Sequence, residues 1–166
     1  MTPEEPTPVF PGLDVERSQP EPAASAMECV IVGIDGSVES HAALRWALRY
    51  AGRTGSPVEA VAAWQFPPPW LGAADAMTVS AEDVETAACR SLEEAAASAN
   101  VHLDRGVQLI AVRGDPVDVL LDRARTSGLI VLGNKGRGAI TATVLGSVAQ
   151  RCVRHANCPV VLVPPN

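Results

Sequence analysis

Five short apolar runs alternating with stretches of helical spacing constrain this chain more than any other feature. The runs are Cys29-Val30-Ile31-Val32-Gly33-Ile34, Val58 to Trp64, Val107 to Val112, Leu129-Ile130-Val131-Leu132 and Pro159-Val160-Val161-Leu162-Val163. Continuous apolar runs of this length suit strands covered on both faces. After the first run, Leu44, Ala47, Leu48 and Ala51 recur at i, i+3, i+4 and i+7. They predict a helix with His41, Arg45 and Arg49 facing away, stopped by Gly52 and Gly55. After the second run, Pro67-Pro68-Pro69 forces an extended loop. Ser80-Ala81-Glu82-Asp83 then reads as a capping box opening a helix that carries Val84, Ala88, Leu92, Ala95 and Ala99. Asp115-Pro116 is an N-cap followed by proline at the first helical position, with Val117, Leu120, Leu121 and Ala124 as the buried stripe. Val144, Val148 and Cys152 imply a last helix before the fifth run. Strands alternating with helices give an α/β fold: an open, doubly wound, mostly parallel five-stranded sheet with helices on both faces. Such sheets bind ligands beyond the strands' carboxyl ends, where strand order reverses.

Residues 1–26 stand outside this pattern. They hold six of the 14 prolines and carry a net charge of −4, leaving −2 of the total −6 for the remainder. Too little apolar surface is present to offset chain entropy, so 1–26 reads as a disordered acidic Pro-rich tail and 27–166 as one folded domain. A partner-docking peptide is the functional alternative for the tail. The acidic balance argues against a general nucleic-acid binder, which needs clustered Lys and Arg. With no apolar run near the roughly 20 residues of a membrane helix and no secretory pattern at the start, the expectation is a cytoplasmic protein with no membrane partner. Of the four cysteines, Cys29, Cys152 and Cys158 sit within apolar patterns, where a free thiol behaves as a small hydrophobe; Cys89 is the fourth.

Chemistry concentrates after the fourth run, at Gly133-Asn134-Lys135-Gly136-Arg137-Gly138 and at Gly146-Ser147-Val148, where the last helix begins. Glycines let backbone N–H groups approach one anion, and a helix start adds unpaired donors and a favourable dipole. The spacing is neither a Walker A loop nor the dinucleotide fingerprint, which would fall at Gly33-Ile34-Asp35-Gly36-Ser37. On the residues alone, two readings stay open: an anion-binding loop, or a Gly-rich connection that satisfies only its own backbone.

Gly133-x2-Gly136-x9-Gly146-Ser147 resembles the G-x2-G-x9-G-[S/T] ATP-binding motif of universal stress proteins. Val30 to Ser37, Leu145 to Val148 and His155-Ala156-Asn157-Cys158-Pro159-Val160 are similar to that family's opening, motif and closing segments, so the resemblance spans residues 28 to 163. It implies that Asp35 meets the nucleoside and that backbone near Ala63 and Trp64 meets adenine. It places ribose and phosphates on Gly133, Gly136, Gly146, Ser147 and Val148. Lys135 and Arg137 add positive charge nearby. One departure is Ser127-Gly128, where the family usually has Ala-Asp.

The resemblance further implies ATP, AMP or cyclic AMP as ligand, with Mg²⁺ or Mn²⁺ riding on phosphates rather than on protein ligands. Pro159 to Val163, short and near the chain's end, also reads as an edge strand that a second copy can pair with, Val161 and Val163 meeting across a two-fold axis. The resemblance implies a homodimer through the same strand. The resulting expectation is a stress-response sensor or regulator with no catalytic residue. His155 reads as a partner for helix-end carbonyls, Asp115 as a cap, and His41 and His102 as exposed. Two alternatives stand beside it: a slow ATPase or self-phosphorylating protein using Ser147, Thr141 or Thr143, and a dimeric interaction module that needs no ligand.

Overall fold

The computed structural model describes residues 29–65, 80–100, 106–125, 128–136 and 145–165. Within them the apolar runs are strands: β1 Val30–Gly33, β2 Val58–Trp64, β3 Val107–Arg113, β4 Leu129–Gly133 and β5 Val160–Val163. Between them lie α1 Val38–Thr54, α2 Ala81–Ser98, α3 Pro116–Ala124 and α4 Ser147–His155. The strand order is β3-β2-β1-β4-β5 and each neighbouring pair is parallel. From β1 the chain winds outward through β2 to β3, then returns to the other side of β1 for β4 and β5. Strand order therefore reverses between β1 and β4.

Alternation along the strands divides the core in two. Val30, Val32, Ala60, Ala62 and Val131 pack with Leu44 and Ala47 of α1 and Leu92 and Ala95 of α2. Ile31, Val61, Ile130 and Leu132 pack with Val117, Leu120 and Ala124 of α3 and Ala149 and Cys152 of α4. β1 and β4 are covered on both faces, which is why their sequences run unbroken apolar.

Helix starts follow local chemistry. Ser37 caps α1 by accepting from the Ser40 N–H, and Ser80 and Asp83 form a reciprocal capping box on α2. Those bonds from the Ser80 backbone and hydroxyl hold the Asp83 carboxyl below its usual range. Asp115 caps α3 ahead of Pro116. Two details differ from the sequence reading. Gly52 lies inside α1, which runs on to Thr54 and ends at Gly55 in the left-handed region with φ 76°. His41 is half-buried rather than facing water, and its Nε2 is enclosed with no hydrogen-bond partner. Residues 1–28, Pro67-Pro68-Pro69, His102, Ser127, Arg137, Thr141, Thr143 and Val144 fall outside the described residues. No helix among the described residues is long and apolar enough to cross a membrane.

Candidate functional site

The carboxyl ends of β1 and β4 lie side by side, and the residues singled out by the motif gather there. β1 runs into Asp35. The Ser37 N–H donates to Asp35 Oδ1 at 3.0 Å, the Ser37 hydroxyl donates to the same oxygen, and that hydroxyl also caps α1. Asp35 Oδ2 is thereby turned toward the β4 loop: a Cβ built on Gly136 would stand 2.7 Å from it. The loop is tied at its base, where the Gly146 N–H donates to the Asn134 carbonyl at 2.9 Å and the Asn134 N–H donates to the Val163 carbonyl at 2.9 Å. A Cβ on Gly146 would lie 3.2 Å from the Gly136 nitrogen. Asp35, Lys135, Gly136, Gly146 and Ser147 thus form one cluster at the switch point.

The motif glycines are explained by close approach and not by an unusual backbone. None of Gly133, Gly136 and Gly146 has positive φ. A Cβ on Gly133 would lie 2.6 Å from Glu39 Cβ and 2.8 Å from its carbonyl carbon, so this glycine seats β4 against the first turn of α1. The sequence reading assigned these glycines to contact with a ligand; much of their need for a missing Cβ comes from protein against protein.

The start of α4 is built differently from the other three helices. Gly146 occupies its N-cap with φ −58° and supplies no side-chain bond. The first intrahelical bond runs from the Gln150 N–H to the Gly146 carbonyl at 2.9 Å. The N–H groups of Ser147, Val148 and Ala149 therefore have no acceptor within the helix. Ser147 is exposed and Val148 half-buried. This end of α4 offers aligned donors and a positive dipole end beside Gly136.

On the other side of β1, the ladder to β2 closes with the Ile34 N–H donating to the Val61 carbonyl at 2.8 Å. Two residues on, Ala63 turns its backbone toward the same side, past the end of β1. Trp64 turns its carbonyl the other way, accepting from the Gly114 N–H at 2.8 Å, while its ring lies under the Arg113 guanidinium at 5.9 Å. Of the two positions, Ala63 is the one whose backbone faces the crevice. Trp64 Nε1 and Asn134 Oδ1 are buried at this end of the sheet without hydrogen-bond partners.

Sequence reasoning missed the ionic contacts. Arg123 of α3 pairs with Glu59 of β2 at 2.6 Å, both partly buried. Asp115, beyond capping α3, faces Arg151 of α4 at 3.4 Å. A half-buried charge in β2 was the one signal for the first pair. Among the described residues, no group of three or more His, Cys, Asp or Glu is arranged to hold a metal ion. No disulfide joins the described cysteines. Burial pushes the Cys152 thiol up to about 11, and burial with the nearby Glu59 carboxylate raises Cys29.

Residues 27–164 match the model of the universal stress protein family. The chain belongs to the universal stress protein family. It is 31% identical over 153 residues to a universal stress protein of Mycobacterium tuberculosis, covering 81% of this chain and 47% of that one. It is 32% identical over 139 residues to one of Mycolicibacterium smegmatis, covering 82% and 45%. The chain thus spans about half the length of the curated relatives it matches. Among solved structures, a universal stress protein in complex with cAMP superposes with a TM-score of 0.61 at 26% identity, covering 86% of this chain and 100% of that one. A universal stress protein from Archaeoglobus fulgidus in complex with dAMP shares the fold, with a TM-score of 0.56 at 23% identity, covering 83% and 98%. Structural relatives in this family thus bind adenine nucleotides.

Proposed function

We propose that this universal stress protein binds an adenine nucleotide at the β1/β4 switch point and acts as a stress-response sensor or regulator rather than a fast enzyme. The observation that carries the reading is the convergence of Asp35, Gly136 and the uncapped start of α4 on one crevice. Asp35 Oδ2 accepts from the ribose. Ala63 meets the adenine edge through its backbone, with Trp64 beside it. Gly133, Gly136 and the N–H groups of Ser147 and Val148 receive the phosphates around Gly146, and Lys135 and Arg137 add charge. Mg²⁺ or Mn²⁺ arrives on the phosphates of ATP; with AMP or cyclic AMP the same donors serve.

Residues 27–166 form the nucleotide-binding domain in this reading, the family match beginning where the Pro-rich acidic segment ends. Cysteines not joined by disulfides suit a cytoplasmic setting. A second copy pairs along β5, the edge of the sheet beyond β4. Val163 is already buried at 7% exposure in its own core, so the partner meets the outer edge and the half-buried Val160, Val161 and Leu162 rather than Val163.

Mass spectrometry of nucleotide released from the purified protein tests the reading. Intact ATP, AMP or cyclic AMP supports it; ADP with free phosphate accumulating on incubation with ATP indicates an enzyme; failure to carry or take up any adenine nucleotide indicates a ligand-free interaction module.

A further inference from the structure

Asp115 and Arg151 bridge the gap between the two helices that begin at the site's rim. α3 and α4 pack against each other on one face of the sheet. Each precedes a parallel strand, so both start at the carboxyl edge. Asp115 is the residue before α3, and Arg151 lies one turn into α4, on the same stripe as Ser147. Side chains on a helix lean toward its N-terminus, and Arg151 reaches back until Nη1 is 3.4 Å from Asp115 Oδ1 and 3.5 Å from Oδ2. The guanidinium therefore stands level with the helix starts, within a side-chain swing of the α4 N–H groups that have no acceptor within their own helix.

The contact that parks it there is weak. Both distances are at the outer limit of a hydrogen bond, and the side chains are 52% and 31% exposed. Asp115 Oδ1 already accepts from the Val117 and Asp118 N–H groups, at 2.9 and 3.3 Å. Asp115 does not need Arg151 in order to cap α3, and exposed pairs of this kind contribute little. A permanently charged, fork-shaped donor held this loosely beside a phosphate seat is suited to leave its carboxylate for a doubly charged terminal phosphate.

We propose that Arg151 is a specificity-determining residue that exchanges Asp115 for the distal phosphates of a nucleotide seated at the start of α4, making the site prefer triphosphate over monophosphate. This rests on the nucleotide-binding reading above. Isothermal titration with ATP and AMP against wild type, Arg151→Gln and Asp115→Asn tests it. Arg151→Gln weakens ATP by about 10- to 100-fold, as expected for losing a charge-assisted bond to phosphate, and leaves AMP within about twofold. Asp115→Asn keeps an equally good N-cap, frees Arg151, and tightens ATP by about two- to fivefold with AMP unchanged. A structural role for the pair would move both ligands together and would not give opposite signs in the two variants. If Arg151→Gln leaves the ATP-to-AMP affinity ratio of a nucleotide-binding wild type unchanged, or Asp115→Asn weakens ATP, the inference is overturned and the site reading survives. A wild type that binds neither nucleotide overturns both.

Discussion

Replacing Gly136 with alanine tests how the crevice is held together. The added Cβ would stand 2.7 Å from Asp35 Oδ2, well inside ordinary contact. The oxygen must move by about 0.5 Å or more, and it is not free to drift, because its carboxylate is anchored through Oδ1 to the Ser37 N–H and hydroxyl. Relief comes from turning Asp35 away from Ser37. Hydrogen bonds to a charged group contribute about 1.5–3 kcal/mol when shielded, but Asp35 is exposed and water replaces them, so the net loss of stability is about 1 kcal/mol. That corresponds to a fall in Tm of about 2–5 °C for a domain of this size. Binding suffers more, since the displaced carboxylate no longer meets the nucleoside: affinity falls by about 10- to 100-fold, equally for ATP and AMP. Differential scanning fluorimetry reads the first effect and titration calorimetry the second. A Gly136→Ala protein that keeps wild-type affinity for both nucleotides refutes the argument that the Asp35–Gly136 contact sets the site.

Gly52→Ala should act in the opposite direction: Gly52 lies inside α1 with nothing within 4 Å of a built Cβ, so stability rises by about 0.5–1 kcal/mol in denaturant titration, with affinity unchanged. Cys152 gives a pH signature. Its folded thiol titrates near 11 against 9.0 when unfolded, so the unfolded state releases its proton first and stability falls between about pH 9 and 11. The contribution is on the order of 2 kcal/mol, and a Cys152→Ala variant, although less stable throughout, lacks that part of the alkaline slope. Deleting residues 1–26 leaves Tm within about 2 °C of wild type, because the segment has no apolar pattern to pack; a drop of many degrees contradicts the domain boundary. Val160→Pro removes a β5 edge N–H without touching the ladder bonds to Pro159 and Val163, and light scattering should show a dimeric wild type giving way to a monomer.

Much of the architecture was legible because both faces of β1 and β4 are covered, which forces unbroken apolar runs, and because Ser80, Asp83, Asp115 and Pro116 mark helix starts by local chemistry alone. What escaped depended on neighbours distant in sequence. A helical wheel puts His41 only about 60° from Leu44, at the margin of the buried stripe, but does not reveal what encloses its ring. Gly52 and Gly55 look alike as helix breakers until the left-handed turn at Gly55 chooses between them. The glycine spacing marks the connection between β4 and α4, but the groups each of these glycines packs against, Glu39, Asp35 and the loop's own far side, are not local to it. Glu59 and Arg123 are 64 residues apart, and Asp115 and Arg151 are 36 apart; nothing local pairs them.

The central claim is that an adenine nucleotide sits at the β1/β4 switch point, and amide chemical-shift mapping tests it most directly. With ¹⁵N-labelled protein titrated with ATP, the amides of Asp35, Ala63, Gly133, Gly136, Ser147 and Val148 should shift together along one saturating curve. Those of Cys29 and Cys158, at the opposite end of the sheet, should stay in place. Saturating shifts centred anywhere else, or a spectrum unchanged at millimolar ATP, would contradict the account.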